Sequence, residues 1–214
     1  MKIDILEKKD KIIEIINTKI NSMDTFYRTG KSLERYLLVL NNRKNESNVK
    51  KYLSNDTYLT DIYKTLSAWD MNKRGAKLNK LSEIKQSISD NMELFLEIER
   101  MNANIIDINF MNLLPIVKKL YAKLCIMESG GKLVSFSKTL HFIFPHLFMP
   151  MDRQNTLMYI YNNTSESYNK FVEIFSLSYY IAQENINWKN IIGKNKWNTT
   201  IPKIIDNAIL LRDY

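Results

Sequence analysis

The sequence predicts an all-α fold, a globular bundle of about eight to ten helices, from three observations. First, the 214-residue chain is 45% hydrophobic, which is enough to form a sizeable core. Second, it contains only 5 Gly and 4 Pro, fewer turn-forming residues than an all-β sandwich or a Gly-rich nucleotide fold needs. Third, apolar residues recur at helical spacing along most of the chain, and the one strand candidate, at 105–110, has no partner.

Four helices are predicted in the first half of the chain, each from apolar residues at helical spacing. They span residues 3–21, 33–42, 57–69 and 83–101. The first alternates isoleucines with charged residues, a pattern typical of an amphipathic helix with one buried face. Asp56 is the expected N-cap of the third helix, and Ser82 opens the fourth.

The second half predicts further helices at 110–127, 133–144, 153–161, 166–180 and from 201 to the C-terminus. Their expected N-caps include Asn109, Asp152, Ser165 and Thr200. Gly130 and Gly131 form the clearest break in the chain, because adjacent glycines supply the positive φ that ends a helix and reverses its direction. The sequence therefore predicts a helical hairpin over 109–144 at the centre of the fold.

Residues 1–214 are expected to form a single all-α domain, since no linker is obvious in the sequence. Residues 102–108 interrupt two predicted helices. A division into sub-lobes 1–101 and 109–214, with a cleft between them, therefore stays open.

The composition also indicates the cellular compartment of the protein and the kind of partner that it binds. A single cysteine, Cys125, can form no internal disulfide, which favours the reducing cytoplasm. The N-terminus has no apolar region typical of a signal peptide, and no stretch approaches the roughly 18 apolar residues of a membrane span. The net charge of +8 and the pI near 9.3 favour an anionic partner, with nucleic acid the leading candidate.

Common catalytic and cofactor motifs are absent from the sequence. There is no P-loop, dinucleotide-binding glycine pattern, HExxH, CxxC or GxSxG motif, so no cofactor is expected. His141 and His146 are separated by a proline and do not share a helix face, so no metal site is predicted. His141 is expected to be a partly buried residue whose hydrogen bonds are satisfied, and His146 a loop residue.

Residues 67–81 carry the first candidate binding surface. Trp69 precedes the cations Lys73, Arg74 and Lys77, and clustered cations beside an aromatic ring suit contact with a phosphate backbone and stacking on a base. The alternative is that Trp69 completes the buried face of its helix and the cations form a solvated turn.

The second candidate is the stretch GGKLVSFSKTLHFIFPHLFMPMDRQN, residues 130–155. Its glycine pair, the helix that follows and the Pro-x-Asp at 150–152 resemble the helix-hairpin-helix DNA glycosylase superfamily. The resemblance implies that Gly130 and Gly131 present backbone N–H groups to a DNA phosphate, as the free N–H groups of a helix N-terminus can. It also implies that Asp152 is the catalytic aspartate, whereas its other interpretation is a helix N-cap alone.

Bifunctional members of that superfamily carry a nucleophilic lysine at the start of the second helix. Lys132 lies twenty residues before Asp152, close to the family layout. Residues 137–152, SKTLHFIFPHLFMPMD, look like a run found in poorly characterised relatives, and this likeness selects Lys138. The resemblance therefore implies that Lys132 or Lys138 attacks C1′ of a flipped nucleotide.

The leading functional hypothesis is a DNA-binding protein that resembles these glycosylases and cleaves the N-glycosidic bond of a damaged base in DNA repair. Whether the chain is an enzyme stays open at this point. The alternative is a non-enzymatic helical regulator or a defence-associated module whose apolar surface binds a protein partner. The salt dependence of binding distinguishes the DNA-binding hypothesis from the protein-partner hypothesis, because phosphate contacts weaken steeply with added salt and an apolar interface does not.

Overall fold

The computed structural model is all-α and describes residues 3–22, 30–72, 76–128 and 131–213. These ranges contain eleven α-helices and no strand. The helices are α1 (Ile3–Thr18), α2 (Lys31–Asn45), α3 (Val49–Leu53), α4 (Asp56–Leu66), α5 (Leu81–Asp90), α6 (Met92–Arg100), α7 (Phe110–Lys123), α8 (Leu133–Ile143), α9 (Met158–Tyr161), α10 (Tyr168–Ala182) and α11 (Ile201–Leu210). Within the same ranges, none of the helices has both the length and the apolar character that crossing a membrane requires.

The all-α prediction is confirmed, and three of the expected N-caps are in place. The side chains of Asn109, Asp152 and Thr200 each accept a hydrogen bond from a backbone N–H in the first turn of the following helix. Three other helices begin at neighbouring residues. Helix α5 begins at Leu81, whereas Ser82 was predicted to open it. Asn55 caps α4, where Asp56 was predicted, and Ser167 caps α10, where Ser165 was predicted.

Two predicted helices are shorter than expected. The helix predicted over 83–101 is divided at Asn91, whose side chain donates to the carbonyl of Ser87 (2.8 Å) and whose ψ of 14° departs from helical geometry. The helix predicted to reach Met127 ends at Lys123. Met127 instead forms a β-bridge with Leu78, so the backbone of this segment is hydrogen-bonded to the strand-like residues 77–79. The connection from α7 to α8 is therefore longer than the tight glycine turn that was predicted.

Helix α8 lies at the centre of the molecule, and all eleven of its residues are buried. Neighbouring helices α2 and α4 pack against it on one side, and α10 packs against it from the second half of the chain. The first helix, α1, packs against α10 and α11 across the boundary proposed between sub-lobes. The buried hydrophobic residues form one cluster that includes both halves, and the division into sub-lobes stays a prediction.

Two π-helical turns position backbone groups next to α8. The first, Ser67–Met71, follows α4, and the second, Arg153–Leu157, precedes α9. In the first turn Asp70 adopts a left-handed conformation with φ 63°, which ends the helical hydrogen-bond pattern. The first turn presents the carbonyl of Trp69 to Lys138 of the central helix, and the second turn packs against α9 and α11.

Candidate active site

Lys138 and Asp152, which the sequence singled out, lie in contact. Lys138 is on the central helix α8 with a side chain only 7% exposed, and its Nζ is 3.7 Å from Oδ2 of Asp152. Oδ1 of Asp152 accepts hydrogen bonds from the backbone N–H groups of Gln154 (2.9 Å) and Asn155 (3.1 Å). The two oxygens thus have separate functions, because one caps a helical turn while the other faces the lysine.

The first π-helical turn supplies a second partner for Lys138. The carbonyl oxygen of Trp69 accepts a hydrogen bond from Nζ of Lys138 (3.3 Å), and this Nζ also lies 5.5 Å from the centroid of the Trp69 ring. Carbonyls in the last turn of a helix have no intrahelical partner, and the left-handed Asp70 ends the helix at this point. Termination of the helix therefore makes a backbone acceptor available to a buried cation.

A second ion pair, which sequence reasoning missed, lies on α11. Nζ of Lys203 is 2.6 Å from Oδ2 of Asp206 and also donates to Oδ1 of Asn207. Both charged residues are buried, with relative exposures of 2% and 7%. The sequence feature that could have indicated this pair is the spacing of Lys203, Asp206 and Asn207 at i, i+3 and i+4 within the apolar stretch IPKIIDNAIL. That spacing places the three polar side chains on one face of a helix.

The two ion pairs line the same cleft, which has a volume of about 580 Å³. The first π-helical turn and α8 form one side of it, and the second π-helical turn and α11 contribute the rest. Apolar and aromatic lining residues include Trp69, Met71, Pro150, Met151, Trp197 and Leu210. About half of the lining residues are polar, and the charged ones include Asp70 and Arg153 in addition to the two ion pairs. A cavity of this size with convergent polar groups beside aromatic side chains suits a small ligand or a single base.

The cleft changes the protonation of its ionisable groups. Burial lowers the pKa of Lys138, an effect that the nearby carboxylates of Asp152, Asp206 and Asp70 partly oppose. Burial raises the pKa of Asp206, and the ammonium group of Lys203 opposes this shift. Lys138 therefore loses its proton more readily than an exposed lysine, and a neutral amine is the form that acts as a nucleophile.

A buried hydrogen-bonded chain supports the aromatic side of the cleft. His141 is fully buried, and its Nδ1 lies 2.7 Å from the carbonyl oxygen of Phe148, which can only accept. Its Nε2 consequently accepts from the hydroxyl of Tyr36 (3.0 Å), which in turn accepts from Thr199 (2.7 Å). The structure confirms that His141 is hydrogen-bonded, and it buries this residue completely where partial burial was predicted.

The ring of Tyr36 lies between two lining residues of the cleft. Its centroid is 5.3 Å from that of Trp69 and 6.3 Å from that of Trp197. Because its hydroxyl is held by His141 and Thr199, Tyr36 constrains the packing of both tryptophans.

Lys132, the other lysine that the resemblance suggested, lies elsewhere. Its Nζ donates to the carbonyl of Ala122 (3.2 Å) and lies 5.2 Å from the centroid of the Tyr121 ring. Among the described residues, Lys138 lines the cleft and Lys132 does not. The geometry thus distinguishes between two lysines that the sequence left as alternatives.

The N-terminus of α8, where the resemblance places a DNA phosphate, carries an internal carboxylate. Oε2 of Glu166 accepts from the backbone N–H of Val134 (3.2 Å), and Oε1 of Glu166 pairs with Arg153. A side chain added at Gly131 would meet both Arg153 (3.3 Å) and Glu166 (3.4 Å), so the absence of a Cβ permits this close packing. Gly130 lies outside the described residues, and the phosphate contact stays a prediction.

The basic segment after Trp69 is only partly described. Lys77 is exposed, and its Nζ is 2.8 Å from Oε2 of Glu128, a contact that raises the pKa of this lysine. Lys73 and Arg74 lie outside the described residues, so their predicted phosphate contacts stay predictions. Lys77 lines a second, more open cavity of about 660 Å³, which lacks the buried ion pairs of the cleft.

Comparisons with known proteins give no match for this chain, whether with family models, with curated proteins or with solved structures. The described residues also contain no group of three or more His, Cys, Asp or Glu side chains that could hold a metal ion. The arrangement of the cleft is consequently the basis for a functional assignment.

Proposed function

We propose that this chain is a DNA-binding protein that cleaves the N-glycosidic bond of a damaged base, with Lys138 as nucleophile and Asp152 as its carboxylate partner. The observation that carries the proposal is the 3.7 Å separation between Lys138 Nζ and Asp152 Oδ2 in a cleft with aromatic lining residues. The likeness of residues 130–155 to helix-hairpin-helix glycosylases also supports it, since that likeness implies Asp152 as the catalytic aspartate and includes Lys138 as one of its two candidate lysines.

The reaction follows from the chemistry of these groups. Neutral Lys138 attacks C1′ of the nucleotide, and the N-glycosidic bond breaks with its electron pair leaving on the base, which takes up a proton. The carboxylate of Asp152 stabilises the positive charge that develops on the sugar. The lysine nitrogen then loses a proton, the C1′–O4′ bond opens as O4′ takes up a proton, and a protonated Schiff base remains between Lys138 and C1′.

The dimensions and lining of the cleft suit a flipped base. Enzymes that act on a base in DNA extrude it from the stack into a pocket with aromatic and apolar side chains. Trp69 and Met151 are such side chains here, and Gln154 and Asn155 add polar groups to the lining. The net charge of +8 favours association with the DNA backbone.

Borohydride trapping tests the proposal directly, because borohydride reduces a Schiff base to a stable amine. We would incubate the protein with duplex and single-stranded oligonucleotides that carry damaged bases, and compare wild type with Lys138→Met, Asp152→Asn and the matched control Lys132→Met. The expected result is a covalent adduct with wild type and Lys132→Met that is lost in the other two variants. An adduct that survives Lys138→Met would contradict the assigned nucleophile.

Binding at increasing salt concentration tests the DNA-binding part separately. Release of counterions predicts that affinity for oligonucleotides falls steeply between about 50 and 200 mM salt. Affinity that does not change with salt, together with the absence of any adduct, would refute the proposal and favour the protein-interaction alternative.

A further inference from the structure

The Lys203–Asp206 pair lines the cleft but takes no part in the reaction proposed above. It is held rigidly, because Lys203 also donates to Asn207, whose Nδ2 donates to the carbonyl of Trp197 (3.0 Å) and to Oδ1 of Asn198 (2.9 Å). A preorganised, buried set of polar groups that faces a cavity is suited to recognising a ligand.

Both members of the pair retain hydrogen-bonding capacity. An ammonium group has three N–H donors, and two of those on Lys203 are directed to Asp206 and Asn207. A carboxylate has about four acceptor positions, and in the part of the chain that the structure describes only Lys203 donates to Asp206. A buried carboxylate with unused acceptor positions is costly unless a ligand or water completes its shell.

The order of these groups selects a particular hydrogen-bonding edge. Lys203 supplies a donor, and beside it Asp206 supplies two acceptor oxygens. Guanine presents the complement along its Watson–Crick edge, with O6 as acceptor, followed by the N1–H and the 2-amino group as adjacent donors. On this edge adenine offers one donor beside one acceptor, cytosine offers one donor beside two acceptors, and thymine offers one donor between two acceptors. A carboxylate therefore makes paired hydrogen bonds with guanine alone among the four bases.

We infer that the Lys203–Asp206 pair reads the O6, N1 and N2 edge of a guanine-type purine held in the cleft. The inference rests on the proposed function, because base flipping is what delivers a base to this site. The pair is near the proposed nucleophile, since Lys138, Lys203 and Asp206 line the same cleft. A purine whose edge meets α11 can thus keep its sugar next to Lys138 within one cleft.

Nucleoside binding tests this recognition without requiring catalysis. We would measure the dissociation constants of guanosine, inosine and adenosine for wild-type protein by isothermal titration calorimetry or ligand-observed NMR. Inosine keeps O6 and N1–H but lacks the 2-amino group, so one acceptor of Asp206 loses its donor. Because a hydrogen bond to a charged group is worth about 1.5–3 kcal/mol, inosine should bind at least about tenfold more weakly than guanosine.

Variants then assign the discrimination to Asp206. In Asp206→Asn an amide replaces one acceptor by a donor, so the preference for guanosine over inosine should be lost, whereas Lys132→Met should keep it. Equal affinity for the two nucleosides in wild type, or no binding of either, overturns the inference. The wild-type ligand series decides this even where Asp206→Asn fails to fold.

The experiments can refute the guanine-recognition site and the glycosylase reaction independently of each other. A preference for guanosine in wild-type protein, with no adduct formed by wild-type protein on any oligonucleotide, supports the recognition site and refutes the glycosylase reaction. Adducts that depend on Lys138, combined with equal binding of guanosine and inosine, refute the recognition site and support the reaction.

Discussion

Asp152 acts through two separate oxygens, and this separation makes its substitution informative. Oδ1 caps the second π-helical turn by accepting from the N–H groups of Gln154 and Asn155, whereas Oδ2 faces Lys138 at 3.7 Å. Asn retains an oxygen that can cap the turn, but it carries no negative charge. Ala retains neither function. The two variants therefore separate the stability of the helical turn from the chemistry of the cleft.

The expected magnitudes follow from each contact. Loss of an N-cap costs about 0.5–2 kcal/mol, and an ion pair with a partly exposed carboxylate contributes up to about 1 kcal/mol. The side chain of Asp152 is 37% exposed, so its ion pair with Lys138 is assigned the contribution of a partly exposed pair. We expect Asp152→Asn to lose less than about 1 kcal/mol and Asp152→Ala about 1 kcal/mol more, which corresponds to a Tm difference of roughly 2–4 °C between the variants.

Urea denaturation and borohydride trapping would be carried out on the same preparations. Both variants should lose the adduct, while only Asp152→Ala should lose the cap. Asn109→Ala is the matched control, since Asn109 caps α7 by accepting from the N–H of Asn112 (3.1 Å) and does not line the cleft. It should lose about 1 kcal/mol of stability and keep the adduct. Equal stability of Asp152→Asn and Asp152→Ala, or an adduct formed by Asp152→Asn, would refute the reasoning.

Two further predictions concern buried ionisable groups. Burial lowers the pKa of His141 from 6.5 to about 3, so its contribution to the free energy of unfolding is complete above pH 6.5 and is lost as the pH falls towards 3, by up to about 1.4 kcal/mol per pH unit. Urea denaturation from pH 7 to pH 4 should show this loss in wild type and a smaller one in His141→Gln. Lys203→Met should cost about 3–5 kcal/mol because it leaves the Asp206 carboxylate buried without its cation, and Lys203→Met combined with Asp206→Leu should recover most of that loss. A single variant as stable as the double variant would contradict this account.

Helix positions could be predicted from the sequence where local chemistry determines them. Asn109 and Thr200 were identified as N-caps because each precedes an apolar helical run, and both are caps in the structure. Asp56 and Ser165 were chosen instead of Asn55 and Ser167 because several capping residues lie close together in those loops. The propensities of such neighbours are too similar to distinguish them, so tertiary contacts decide.

The end of α7 could not be predicted, because its cause is distant in the sequence. Residues 124–127 continue the apolar pattern of the helix, yet the backbone of Leu124 is extended and Met127 forms a β-bridge. The pairing of Met127 with Leu78 determines this, and nothing local to either residue indicates the other. Non-local backbone pairing overrides helical periodicity here.

The candidate site could be predicted only in part, because it too depends on contacts between residues that are distant in the sequence. Lys138, Asp152 and Trp69 were identified from short motifs, but only the packing of α4 and α8 brings the first π-helical turn to Lys138. Lys203 could not be identified in the same way, because it belongs to no such motif and lies within a largely apolar helix. A lysine and an aspartate on the same face of a largely apolar helix must either pair with each other or face a cavity, and here they do both.

The energetic cost of the cleft argues that its charges have a function. A fold that required only stability would gain little from burying Lys138 and Lys203, because desolvation of an ion pair offsets most of its electrostatic attraction and apolar residues of similar volume serve as well or better. Exposed pairs such as Lys77–Glu128 carry no comparable cost. Two buried lysines, each paired with a carboxylate in one cleft, with shifted pKa values on Lys138 and Asp206, are therefore more readily explained by chemistry on a bound ligand than by packing.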